Sequence, residues 1–157
     1  MYTLYKIIRI PIKWYWKIFK IQTKGVRVLL IQDNSIILVK HWYNPLIVMP
    51  GGGIKKYETP EQAAIREVKE ELGFEIEQLE YLLGMYQNKR EGKNDIIYCF
   101  VAYISSNKPI LKHKFNFEIA SIFISDIYNL PRGASKATCT RVREYLNGDI
   151  SNNLRNW

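Results

Sequence analysis

Three glutamates, Glu67, Glu70 and Glu71, stand three and four residues apart in the stretch Arg66–Gly73. On a helix that spacing crowds their carboxylates onto one face. Like charges so placed repel, and a divalent cation relieves the repulsion. The donors are hard oxygens, with no histidine or cysteine among them, which suits Mg²⁺ or Mn²⁺. Arg66, four residues before Glu70, is placed to orient or neutralise the cluster. Taken alone, the pattern also fits a solvated acidic helix face. What precedes it narrows the choice: a run of three glycines, Gly51, Gly52 and Gly53, then a helix start at Thr59 and Pro60.

From Gly52 to Phe74 the sequence reads GGIKKYETPEQAAIREVKEELGF. A glycine, five residues, a glutamate, seven residues, then REVKEELGF: this resembles the Nudix box at Gly52, Glu58, Arg66, Glu67, Glu70, Glu71 and Gly73. Val68 and Phe74 satisfy its two bulky apolar positions. With each residue type at roughly 5–8% of a sequence, a chance match at seven positions is on the order of one in 10⁸. The resemblance implies an α/β fold, an α/β/α sandwich with a mixed central sheet. It also implies a Mg²⁺- or Mn²⁺-dependent hydrolase that cleaves the pyrophosphate linkage of a nucleoside diphosphate joined to another group.

The same resemblance assigns roles. Glu67, Glu70 and Glu71 would hold metal, joined by the backbone carbonyl of Gly51. Glu58 and Arg66 would support the loop and helix. A further glutamate often follows the box in this family, and Glu118 stands in that place; Glu67 or Glu118 would be the general base. Lys40, His41, Lys89 and Arg90 are candidates for contacts with phosphates or base, with Lys40 and Arg90 the foremost. The ADP-ribose-directed subgroup carries a proline downstream of the box, and none occurs between Pro60 and Pro109. The tyrosine of the diadenosine polyphosphate subgroup has no clear counterpart, although Tyr86 and Tyr98 flank the region. The rival is a Nudix-like domain that binds nucleotides without hydrolysing them. No carboxylate of the box is missing, which favours the enzyme.

The elements that must position these groups follow from pattern. Val26–Ile31 and Ile36–Val39 read as strands around an Asp33–Asn34–Ser35 turn. Leu46–Met49 is a short apolar run ending at Pro50. Thr59 caps a helix with Pro60 at its first position, and Gln62 completes a capping box. Ala64, Val68 and Leu72 give its apolar face, and Gly73 ends it. Strands follow at Gln78–Tyr86 and Ile96–Ile104, separated by a polar loop over Gln87–Asp95. Ile119–Ile124 reads as a strand, Ile127–Leu130 as a helical turn, and Ser135–Leu146 as an amphipathic helix ended by Gly148.

The expected organisation is an N-terminal basic amphipathic segment at residues 1–23, a hydrolase domain at 24–150 and a loose tail at 151–157. A chain of 157 residues with 47% hydrophobic content suffices for one domain with a real core. Its two cysteines, Cys99 and Cys139, have neither C-x-x-C nor zinc spacing, so the expected compartment is the cytoplasm. The net charge of +8 favours phosphate-rich partners, and a nucleotide substrate comes first. Lys6, Arg9, Lys13, Lys17, Lys20 and Lys24 would form one basic stripe on a helix, beside Ile8, Ile12, Tyr15 and Phe19. Residues 1–20 could thus lie peripherally on an anionic membrane surface, pack on the domain or a second subunit of a homodimer, or contact nucleic acid. The lysines and Arg9 break every apolar run, so the segment reads as neither signal peptide nor transmembrane helix.

Overall fold

The computed structural model describes residues 23–73, 75–89, 94–105 and 118–157. Arg90, Phe74 and the basic stripe of residues 1–20 lie outside them. In chain order the elements are β1 (Lys24–Gln32), β2 (Ser35–His41), β3 (Ile47–Val48), helix α1 (Pro60–Leu72), β4 (Tyr81–Asn88), β5 (Asp95–Tyr103), β6 (Ile119–Asp126), helix α2 (Lys136–Leu146) and β7 (Ser151–Asn156). All seven strands join one sheet, ordered β3-β2-β1-β5-β4-β7, with β6 on the other edge of β2. The pairings β1–β5 and β4–β7 are parallel and the rest antiparallel, so the sheet is mixed.

The central strands are apolar on both faces, as strands covered on two sides must be. Alternation sends Val26, Val28 and Leu30 of β1, Ile37 and Val39 of β2, and Phe100 and Ala102 of β5 to one core, with Ala64, Val68 and Leu72 of α1. Leu29, Ile31, Ile36, Leu38, Cys99 and Val101 enter the opposite core, with Val142 of α2. The result is the expected layered α/β architecture, one helix over each face. Burial pushes the Cys99 thiol up to about 12, leaving it an inert apolar filler.

β1 and β2 pair only near their turn, at Leu30–Gln32 with Ser35–Ile37. Further along they part, and the glycine run takes the vacated edge of β1. Val26 N–H donates to the Gly52 carbonyl, Val28 N–H to the Pro50 carbonyl and Ile54 N–H to the Lys24 carbonyl, at 2.9, 2.9 and 3.0 Å. The turn that enters the box is thereby held in the plane of the sheet, between its two faces.

Two expectations are corrected. Residues 151–157 are not a loose tail: Ser151–Asn156 forms β7, parallel to β4, and Trp157 meets the Tyr86 ring edge-on at 5.6 Å. The helical turn expected at Ile127–Leu130 is a plain turn, closed by Asn129 N–H on the Asp126 carbonyl.

Candidate functional site

Helix α1 starts as its sequence dictates. Thr59 accepts from Gln62 N–H, and the Gln62 side chain accepts from Thr59 N–H. Gly73 takes a left-handed conformation and closes the far end. Val68 and Leu72 anchor the helix in the core, which fixes the rotation that presents Glu67, Glu70 and Glu71 to the glycine run.

Arg66 is the hub of this surface. Its Nε donates to Glu58 at 2.7 Å and its terminal nitrogens to Glu67 at 2.7 Å, Glu70 at 2.9 Å, Glu58 at 3.0 Å and the Gly53 carbonyl at 2.9 Å. The guanidinium therefore ties the incoming loop to the helix and draws charge from three carboxylates. Its hydrogen bond holds the Glu58 carboxyl at about 2. For Glu67, burial outweighs the same arginine and pushes the carboxyl above its ordinary range. Lys55 reaches Glu70 at 3.2 Å.

Glu71 is buried and held differently. One oxygen accepts from Gly51 N–H at 3.0 Å, and the other lies 2.8 Å from His41 Nε2. His41 is itself buried at the end of β2, where its ring meets Glu71. If Nε2 donates to Glu71, the orphan atom Nδ1 is a bare lone pair rather than an unsatisfied N–H. A signal was present in the sequence: His41 shares the parity of Ile37 and Val39, which face α1.

The glycines divide by role. Gly51 has φ +135°, and a Cβ there would come within 2.2 Å of the Val26 carbonyl, so backbone forbids it. A Cβ on Gly52 would sit 2.6 Å from the Glu67 carboxylate and displace that side chain. Gly53 has open space around it, so nothing steric requires a glycine there.

A divalent cation fits the donor chemistry of this surface, which offers carboxylate and carbonyl oxygens alone. Among the described residues no three His, Cys, Asp or Glu side chains already close around a common point. Arg66 lies across Glu67 and Glu70, and Arg27 donates to the carbonyl of Gly51. The donors are thus charge-compensated by arginine. Glu118 is exposed just before β6; its carbonyl accepts from Trp42 N–H at 3.0 Å, and the next residue, Ile119, pairs with His41. That places Glu118 at the Glu71 end of the sheet. Lys40 lines an open cavity of about 360 Å³ with His41, Trp42, Pro45 and Ser121, so the imidazole that meets Glu71 also borders this space. Lys89 is exposed beyond β4.

Sequence reasoning did not foresee a larger cavity, of about 620 Å³, on the α2 side of the same turn. Arg27, Met49, Ser135, Lys136, Arg141 and Trp157 are among the residues that line it. With Asn88 added, the lining comes from five separate parts of the chain, so no local motif announces it.

The comparisons with known proteins agree with this geometry. The family model described as NUDIX domain matches residues 21–125. An ADP-ribose pyrophosphatase of Methanocaldococcus jannaschii is 33% identical over 104 residues, covering 64% of this chain and 60% of that protein. A methanol dehydrogenase activator of Bacillus methanolicus is 32% identical over 83 residues, 50% of this chain and 44% of that one. The chain thus spans about half the length of these relatives. A crystal structure of a MutT NUDIX hydrolase from Burkholderia pseudomallei superposes with a TM-score of 0.66 at 22% identity, over 78% of this chain and 97% of that one. With the box at Gly52–Gly73 folded onto a mixed sheet between two helices, and the family model spanning well over half its length, the chain belongs to the NUDIX domain family.

Proposed function

We propose that this protein is a metal-dependent pyrophosphohydrolase acting on a nucleoside diphosphate linked to a second group. The observation that carries the reading is the divided treatment of the three glutamates. Glu71 is fixed by Gly51 N–H and His41, while Glu67 and Glu70 are held by the Arg66 side chain. A purely structural acidic face has no use for a buried carboxylate locked onto a glycine turn. Glu67, Glu70, Glu71 and the Gly51 carbonyl would hold Mg²⁺ or Mn²⁺. When bound, such a cation neutralises the pyrophosphate and lowers the pKa of a coordinated water. The chain supplies the rest. Arg66 fixes the loop against the helix, and Gly52 leaves room for the Glu67 carboxylate. Glu67, with its affinity for protons raised by burial, is suited to accept a proton from the attacking water. Glu118 is the second candidate for that step.

The named relative brings ADP-ribose forward as a substrate, against the absent proline downstream of the box. The test is nucleotide release from ADP-ribose, nucleoside triphosphates, dinucleoside polyphosphates and nucleoside diphosphate sugars, with Mg²⁺ or Mn²⁺. Turnover of at least one of these, abolished by chelation, is the expected result. The alternative, a nucleotide-binding domain without turnover, draws on Arg66, which already compensates Glu67 and Glu70. It requires a rise in melting temperature with a nucleotide and no product from any.

For residues 1–20, contact with anionic lipid is set against packing on the domain or a second subunit and against contact with nucleic acid. Full-length protein should pellet with anionic but not neutral vesicles and be released by salt. No helix among the described residues is long and apolar enough to cross a membrane.

A further inference from the structure

Arg27 projects from β1 onto the α2 side of the sheet, in the parity of Leu29 and Ile31. It is half-buried, and the hydrogen bonds its guanidinium makes go to carbonyls: Met49 at 3.2 Å and Gly51. An arginine in that position, with five N–H donors and a fixed charge, is matched by carbonyls in geometry but not in charge. It also lines the 620 Å³ cavity, where Lys136 and Arg141 bring two more cationic side chains. Among the described residues lining that cavity there is no aspartate or glutamate. Arg141 is buried, ion-paired with Glu144 and stacked 3.7 Å above the Tyr86 ring, and its Nη1 has no hydrogen-bond partner.

Gly51 joins the two sides. Its N–H serves Glu71 below α1, and its carbonyl serves Arg27 at the cavity. We infer that Arg27 is a substrate-binding residue, held in reserve on the Gly51 carbonyl and turned to the anionic part of a nucleotide in this cavity once a divalent cation takes that carbonyl. The inference rests on the proposed metal role of Gly51. A cation and a guanidinium on one carbonyl oxygen repel each other, and the open space beside Arg27 is the cavity. Binding of metal and of nucleotide would then favour each other through a single peptide unit.

The experiment uses the full chain and two ligands that separate the steps: Mn²⁺ alone, followed by electron paramagnetic resonance, and α,β-methylene-ADP with Mn²⁺, followed by calorimetry. Arg27→Gln should weaken the analogue by about 10-fold or more, the scale of one lost charge-assisted contact. It should bind Mn²⁺ alone at least as tightly as the unaltered protein, because the competitor for the Gly51 oxygen is gone. Arg27→Lys, which keeps the charge, should fall between. If Arg27 only braces the glycine turn, Arg27→Gln loses Mn²⁺ affinity, and the inference is overturned. Equal binding of the analogue by variant and unaltered protein overturns it too, as does an unaltered protein that ignores the analogue. Absence of turnover with every pyrophosphate substrate strikes instead at the hydrolase reading, and leaves Arg27 to be judged on binding.

Discussion

Helices α1 and α2 cover opposite faces of one sheet, and each carries an arginine–glutamate cluster, but the two are balanced in opposite ways. On α1 one arginine, Arg66, faces Glu67, Glu70 and the Glu58 of the incoming loop, with Glu71 close by and exposed Lys55 in contact with Glu70. On α2 one glutamate, Glu144, faces Arg141 at 2.7 Å and Arg155 at 3.6 Å, and accepts from the Tyr86 hydroxyl at 2.7 Å. The first cluster is rich in carboxylates and offers oxygen donors to a cation from outside. The second gathers arginines on one carboxylate and joins elements, here α2, β4 and β7.

The largest expected effect separates them by activity. Glu70→Gln and Glu71→Gln should each lower kcat by about 10²-fold or more at saturating Mg²⁺, with the fold kept, because charge is removed at little change in volume. Near-full turnover in either variant would return α1 to a merely structural role. Glu144→Gln should do the reverse. It strands the buried guanidinium of Arg141, while Arg155 keeps Asp149 at 3.1 Å, so chemical denaturation should show a loss of about 2–4 kcal/mol while turnover stays within about 3-fold. A stable but inactive Glu144→Gln would erase the distinction.

The next effect depends on pH. Glu58 titrates at about 2 in the fold against 4.5 in a free chain, so its ionised form favours folding. That contribution is complete above about 4.5 and lost as pH falls toward 2. Glu58→Gln should therefore melt below the unaltered protein at pH 7, by about 2–6 °C, with the gap closing between pH 4.5 and 2. The smallest effect has the opposite sign. The Glu67 carboxyl is raised, so its ionisation opposes folding: stability is fullest below 4.5 and declines as pH climbs through the folded pKa. Without metal at pH 7, Glu67→Gln should melt about 1–3 °C higher than the unaltered protein. A lower melting temperature would mean that Arg66 outweighs burial at this carboxylate.

The same contrast explains what could be read from residues alone. Helix α1 and its carboxylates are encoded locally: cap, proline, period and closing glycine all lie within Thr59–Gly73. The Gly52 contact with Glu67 is likewise carried by the box. The role of His41 was half legible, because strand parity turns it toward α1 but not to a given glutamate. Two features were out of reach. β7, SNNLRN, has neither alternation nor apolar content, and it becomes a strand because the edge of β4 offers unpaired backbone groups. The cavity gathers Arg27, Met49, Ser135 and Trp157, whose nearness exists only after the sheet has formed.

The hydrogen bonds that seat Pro50–Gly52 on β1 carry a further consequence for measurement. The amides of Val26 and Val28 lie in a core strand, yet their acceptors are the Gly52 and Pro50 carbonyls of the box turn. Their exchange with deuterium therefore clocks the lifting of that turn, while Arg27 and Leu29 beside them, whose amides face the other edge, clock the opening of the β1–β5 ladder. Two neighbouring pairs of amides in one strand thus report two different motions, and a ligand that clamps the box slows the first pair before it touches the second.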